Sequence, residues 1–430
     1  MLRPAHSGAH KAEATVVRSP QSPLDLSSES FWARPFEERD ESFAWLRAHM
    51  PVSWNPPLET PEYRNHDEPG FWALTLADDI VTVSTDHERF SSATTFTLRP
   101  QNPAGALPAT FMRMDPPLQA QYRRTMAAMF THRAVGRLYE TIRSRAAQIV
   151  AQVEGAGEFD FVERVSARLP MLMIADFVGV PASLAEEFAR AGDNVVSMYD
   201  PDMLPPGMTI LDFKRAQADT LQRIGVELVR HRRSHPADDI ATALAQAEVD
   251  GRALTDDEIG SMMLLLSIGG NDTTKQTTSH TMLALIRHPD QRAWIKQDLA
   301  NRLPTAVEEF LRHASPIIAF ARTATRDTEI RGVPIARGDK VAMFYCSGNR
   351  DESRFDRPHA FDVTRPRTAH VAFGGGGAHH CLGANLARAQ LRAIFSEVLT
   401  RLPRIELAGD PVPLRSSLFH GIRTLPVRVG

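Results

Sequence analysis

Cysteine is almost absent from this chain of 430 residues, which carries Cys346 and Cys381 and no other. Two cysteines cannot staple a fold of this size, and such usage fits a reducing, cytoplasmic setting. Long apolar runs are missing too. No stretch reaches the about 18 uninterrupted apolar residues of a membrane span, so no membrane anchor is expected. Nor is there an excess of positive charge: the formal net charge is −3, which removes the electrostatic case for nucleic acid. No internal repeat is visible. What remains, 43% hydrophobic and 23% charged residues, is ordinary for a globular protein. Residues 1–28 are rich in Ser, Ala and Pro and read as a disordered tail; 29–430 read as one large domain.

The chain is organised around Phe373–Arg388, FGGGGAHHCLGANLAR. Four glycines, Gly374 to Gly377, permit backbone conformations closed to other residues and let backbone approach a flat ligand closely. Cys381 follows them and precedes a helical composition. The first amides of a helix favour a thiolate over a thiol. A lone cysteine is commonly just buried and inert, but the glycines and the helix start point to a ligand or a nucleophile. A zinc site from His379, His380 and Cys381 fails on spacing, because adjacent side chains seldom converge on one tetrahedral ion.

A second feature lies upstream. Thr255 with Glu258 three residues later is a capping box, and the apolar pattern after it runs to about Arg287 before Pro289. Inside this helix sits Gly269-Gly270-Asn271-Asp272-Thr273-Thr274. Two glycines cost a helix interior roughly 1 kcal/mol each against alanine. Either the helix ends there, with Asn271 or Asp272 capping a second one, or it opens locally to admit a ligand.

Elsewhere Phe31–Met50 shows helical spacing that stops before Pro51, and Phe71–Leu76 reads as a short strand followed by a small helix. Residues 96–112 are rich in Pro and Gly and read as a long loop, of the kind that is functional or disordered. Asp115 can cap a helix that opens on Pro116, and places Gln119 and Arg123 on one face. Residues 134–235 are largely helical, with breaks at Gly179-Val180-Pro181 and at 200–207. Glu309 and Arg312 lie three apart on one helical face. Residues 329–351 read as a hairpin and a strand holding Cys346, and the chain ends in strands about a turn at His420-Gly421.

Phe373, Gly377, His379, Cys381 and Gly383 together resemble the haem-binding signature of the cytochrome P450 family, with one departure: Phe373 lies eight residues before the cysteine instead of seven. The Gly-Gly-Asn-Asp-Thr-Thr helix, Glu-x-x-Arg and the Asp-Pro-Pro segment occur in that family's order, so the resemblance spans about Phe31 to Val429. It implies a mainly α fold with small β-sheets (α+β), haem b between the long central helix and the cysteine-loop helix, and a monomeric catalytic domain over 29–430. Cys381 is then the axial iron ligand. Arg123, Arg322 and His379 hold the propionates, Gln119 supports Arg123, and Gly377, Gly383, Gly269 and Gly270 give close backbone approach. Thr273 hydrogen-bonds the oxygen substrate and Asp272 relays protons. Glu309, Arg312 and Arg365 form a buried structural group.

The pocket implied by the same resemblance takes Phe96, Leu98, Phe111, Met198, Ile317, Ile318, Phe320, Leu418 and Phe419, under a lid hinged near 200–207. Electrons ultimately from NAD(P)H would come through a ferredoxin or flavodoxin and its reductase, docking near Arg124, Arg388 and Arg392. The glycine-shifted loop looks most like the steroid and terpenoid side-chain hydroxylases. That implies hydroxylation of a large apolar isoprenoid, with a fatty acid as runner-up. A haem-thiolate protein without oxygenase activity would need no acid–alcohol pair.

Overall fold

Thr255 and Glu258 form the reciprocal capping box that opens a helix over Asp256–Arg287. At about 1.5 Å per residue its 32 residues cross the whole molecule. The computed structural model describes residues 18–59, 68–99, 110–197, 204–366 and 369–430. In it the long helix is unbroken through Gly269 and Gly270, so it neither ends nor opens there. Tertiary packing overrides the poor local propensity. The hydroxyls of Thr273, Thr277, Thr278 and Ser279 each donate to the carbonyl four residues back, at 2.8 to 3.0 Å. Gly270 lies so close to Ile174 of the helix Arg168–Val178 that a Cβ would fall 2.9 Å from it.

Helices surround this axis. Arg168–Val178, Ala182–Ser197 and Ile210–Ser234 pack along it on one side, and Leu299–Ala314 and Ala384–Arg401 on the other. Gly179, in the left-handed conformation at φ 87°, ends the first of these, as the Gly-Val-Pro break requires. The main sheet stands apart, with strand order Val52–Asn55, Phe71–Leu74, Lys340–Phe344, Ala319–Ala324, Phe90–Ser91. Only the Phe71–Leu74 and Lys340–Phe344 pair is parallel.

Several local expectations change. The helix over Phe31–Met50 is two, Glu29–Trp32 and Phe36–His49, because Pro35 disfavours a helical residue before it. Residues 18–28 are packed, not a free tail: Trp54 exchanges backbone hydrogen bonds with Pro20 and Ser22 at 2.8 Å, and Leu26 is wholly buried. Asp115 caps no helix; it accepts from Ser91 and from the Ser92 amide, and the helix begins at Leu118. Cys346 lies in a helical turn just past its strand, where it is plain packing. A strand, Gly157–Asp160, interrupts the helical stretch and pairs with Pro426–Val429.

Three histidines pack into the interior, His420 buried and His280 and His313 partly so. His280 of the long helix packs on His420 with ring centroids 3.9 Å apart, and Phe36 stacks on His420 at 3.7 Å. His313 lies against Phe361. Burial pushes His280 down to about 3 and His313 and His420 well below their ordinary value of 6.5. Below about pH 6.5 the unfolded chain therefore takes up protons that the folded chain refuses, and stability falls as pH falls. Asp272, raised by burial to about 6, opposes this by a single proton. The urea midpoint should drop between pH 7 and pH 5, and His313→Leu should flatten that dependence. A midpoint flat over this range would contradict the assignment.

Candidate active site

The cysteine loop is built by glycine. Gly374, Gly376 and Gly377 have φ of 90°, 95° and 71°, a region other residues avoid. Gly375 and Gly377 press on the backbone of the helix Ala77–Thr85: a Cβ on either would lie 2.7 Å from the Ile80 carbonyl or 2.6 Å from that of Ser84. Ser84 Oγ donates to the Gly376 carbonyl at 2.9 Å, and Gln119 Nε2 to that of Ala378 at 2.8 Å. The loop closes where the Cys381 amide donates to Phe373, 3.0 Å away.

The Phe373 ring lies under the Arg388 guanidinium at 4.5 Å, and Arg388 is tied to Glu308 by two bonds of 2.7 and 2.9 Å. Arg388 and His370 hold Glu308 at about 2 against the opposing effect of burial. Cys381 lies three residues before its helix starts, not at it. Burial pushes its thiol up, and the Gly383 amide offsets part of that.

Behind the loop, Glu309 and Arg312 face each other in two bonds of 2.7 Å, and Arg365 reaches Glu309 at 3.2 Å. Arg312 also donates to the carbonyls of Asn349, Pro358 and Ala360. Asn349 Oδ1 in turn accepts from the Val371 amide at 2.7 Å, two residues before the loop.

Cys381 opens on a cavity bounded on another side by the long helix. Among the described residues no carboxylate lines it. Arg123, Arg322 and His379 all face it. Both ring nitrogens of His379 lack a partner, and burial takes that ring down to about 4. Burial also lowers Arg123 and Arg322; Arg322 has one hydrogen bond, to the neighbouring Ala321 carbonyl. Gly383 lines the cavity, and a Cβ on Gly269 would meet nothing within 4 Å. Gly270 also borders it, though its closest neighbour is Ile174.

Thr273 faces the cavity, while Asp272 does not. Asp272 is 1% exposed behind the helix, 2.8 Å from Lys275 Nζ, and its Oδ2 has no partner. Lys275 also pairs with Asp193 of the helix Ala182–Ser197.

Phe96, Phe111, Ile317, Phe320, Leu418 and Phe419 line the cavity. Leu98 and Ile318 do not; they pack into a separate cluster with Phe31, Trp32 and Phe344. Ile317 bridges Phe419, and alternation along extended backbone turns Ile318 to the opposite face. Met198 lies outside the described residues. Arg388, paired, and Arg392, stacked over Tyr139 at 5.0 Å, are not open surface charges, whereas Arg124 is exposed. Sequence reasoning missed Thr277, Arg113 and Tyr345, which also line the cavity. Thr277 could have been found four residues after Thr273; Tyr345 gave no local signal.

Unpaired cationic and polar groups at an apolar cavity, beside a sulfur presented by a glycine loop, fit a flat apolar ligand with acidic arms, and haem b meets that description. This is the architecture of a haem-thiolate protein. The chain belongs to the cytochrome P450 family, whose sequence model, described as Cytochrome P450, matches residues 109–413. It is 37% identical to a methyl-branched lipid omega-hydroxylase of Mycobacterium tuberculosis, over 98% of this chain and 99% of the relative. It is 36% identical to a steroid C26-monooxygenase of the same species, over 95% and 94%. A Mycobacterium marinum cytochrome P450 in complex with pseudoionone has 43% identity and a TM-score of 0.92, over 96% of this chain and all of that one. The chain is accordingly a monooxygenase of mainly α fold with small sheets, using haem b, O2 and electrons that derive from NAD(P)H. No described helix is long and apolar enough to cross a membrane.

The close seat of the glycine loop yields a prediction. Gly377→Ala, which needs a left-handed alanine and a Cβ 2.6 Å from Ser84 O, should lift the loop and lower the haem-to-protein absorbance ratio of the purified protein. Gly207→Ala is the control, since it shares a positive φ and has open space. Equal haem content in both would refute the close-seat argument.

Proposed function

We propose that this enzyme hydroxylates an unactivated C–H bond of a large apolar isoprenoid-type molecule, a terpenoid or a steroid side chain. The observation that carries this is the cavity itself, lined by Phe96, Phe111, Ile317, Phe320, Leu418 and Phe419 and free of carboxylates among the described residues. Relatives named for a methyl-branched lipid and for a steroid, and a structural neighbour holding pseudoionone, support the same class. A long-chain fatty acid is the second reading. Arg113, which faces the cavity with a buried and unpartnered Nε, would suit its carboxylate.

Haem b, when bound, supplies the activation of O2 and the insertion of one oxygen atom into the substrate. Cys381 would hold its iron through the thiolate sulfur. Arg123, Arg322 and His379 would take the propionates, while Gln119 fixes the loop at Ala378. Thr273 presents a hydroxyl that donates to Gly269 and can turn toward the cavity. Asp272, whose carboxyl burial raises above its ordinary value, is placed beside Thr273 to give and take protons. Lys275 connects it to Asp193, which is partly exposed. The apolar wall keeps bulk water from the reacting carbon. Electrons arrive from a ferredoxin or flavodoxin with its reductase, and the enzyme acts as a cytoplasmic monomer.

The first test is the carbon monoxide difference spectrum of the dithionite-reduced protein, in wild type and in Cys381→Ser. A Soret band at the thiolate position, lost in the variant, is expected; a band of the histidine-ligated type would overturn the assignment of Cys381. Terpenoids and steroids should then shift the ferric spectrum more strongly than straight-chain acids. Asp272→Asn should leave the carbon monoxide spectrum unchanged and slow turnover by about 100-fold, with an increased solvent isotope effect. Unchanged turnover would remove Asp272 from the proton path.

A further inference from the structure

Two segments of the cavity wall are joined to each other. The Ile318 amide donates to Leu418 at 2.8 Å, the His420 amide to Pro316 at 2.9 Å, and Ile317 bridges Phe419. Pro316, Ile317, Leu418 and Phe419 face the cavity. The long helix grips this double segment through two side chains one turn apart, alongside Phe36 and the Ala314 carbonyl.

Gln276, 2% exposed, accepts the Ile422 amide through Oε1 at 2.8 Å. Its carboxamide also lies flush against Gly421, where a Cβ would come within 3.0 Å of it. His280 packs its ring on His420 at 3.9 Å, and His420 donates from Nδ1 to the Ala314 carbonyl at 2.6 Å, two residues before Pro316. Phe36 stacks on His420 as well, at 3.7 Å. The same helix turns Thr273 and Thr277 toward the cavity. A helix is stiff over one turn, so the reach of Leu418 and Phe419, measured from the face that carries Thr273, is set by Gln276 and His280.

We propose that Gln276 and His280 are positioning residues for regioselectivity. They pin the Leu418–Phe419 turn to the long helix and thereby determine which carbon of an apolar chain lies over the reacting centre. Neither side chain touches the substrate. The inference rests on the monooxygenase reading of this cavity and adds to it the residues that decide where the substrate stops. Chain-length discrimination in an apolar site comes from single methylene groups, each worth about tenfold or more, so a small displacement of the turn is enough to change the outcome.

The test uses holoenzyme: wild type, Gln276→Met, His280→Leu and His280→Phe, with Leu418→Ala to shorten the turn directly. The probes are 1-alkylimidazoles of short and long chain, whose ring nitrogen is held at the haem and whose chain samples the wall, read by their spectral binding constants. A second readout is the ratio of hydroxylated isomers formed from farnesol. Gln276→Met, His280→Leu and Leu418→Ala should each change the long-to-short affinity ratio by about tenfold and redistribute the isomers. His280→Phe, which keeps a ring on His420, should resemble wild type.

An unchanged ratio in Gln276→Met and His280→Leu would overturn the proposal, as would a uniform loss of affinity at all lengths. An unchanged ratio in Leu418→Ala would overturn it too, even if the helix variants fail to fold. Failure of the underlying reading looks different: wild type itself would then lack the thiolate-type carbon monoxide band.

Discussion

A single buried guanidinium carries much of the architecture around the cysteine. Arg312 is 1% exposed, and its five N–H groups meet five acceptors: both oxygens of Glu309 and the carbonyls of Asn349, Pro358 and Ala360. Taking one partner from a buried ion pair costs about 3–5 kcal/mol, because the other charge is stranded. The network is therefore justified less by net stability than by the geometry it enforces. Glu309 accepts from Arg365 and from the Asp362 amide as well, so the segment before the cysteine loop is fastened at several points to one helix. Asn349 passes that hold on to Val371.

The same separation of charge shapes the cavity. Acidic groups are kept off its walls among the described residues, and three of the arginines that face it, Arg113, Arg123 and Arg322, are placed where acidic arms of a ligand would be met. The one carboxylate assigned to chemistry, Asp272, sits behind the long helix. There Lys275 offsets the burial that would otherwise raise it further. An apolar chain can thus enter without meeting an uncompensated negative charge, while a buried carboxyl stays within one residue of Thr273.

Much of this was legible in the chain. The capping box at Thr255, the glycine run before Cys381 and the i,i+3 spacing of Glu309 and Arg312 are local patterns with local consequences, and each takes its expected shape. What sequence reasoning missed depends on contacts distant along the chain. Gly269 and Gly270 look like a helix breaker, yet the helix continues because Ile174 packs on one and Thr273 donates back to the other. Leu98 and Ile318 look like pocket residues, but only pairing register could show that they face the other core. Asp115 has the chemistry of a helix cap, and the sheet edge at Ser91 and Ser92 claims it instead.

The loop before Cys381 shows how backbone freedom is used where geometry is least forgiving. Two points of the loop are fixed: the amide of Cys381 bonds to the Phe373 carbonyl, and Gly375 and Gly377 rest on the backbone of Ala77–Thr85. The residues between them must therefore turn tightly. Gly374 can, because it holds φ 90° with nothing closer than 3.9 Å to where its Cβ would be. A residue with a side chain would meet space but not an allowed backbone. The phenyl ring of Phe373 accordingly lies on the cavity wall with Cys381, under Arg388, although eight positions separate the two in sequence. The neighbourhood of the sulfur is set by backbone freedom in the glycine run and by the contact of Phe373 with Arg388.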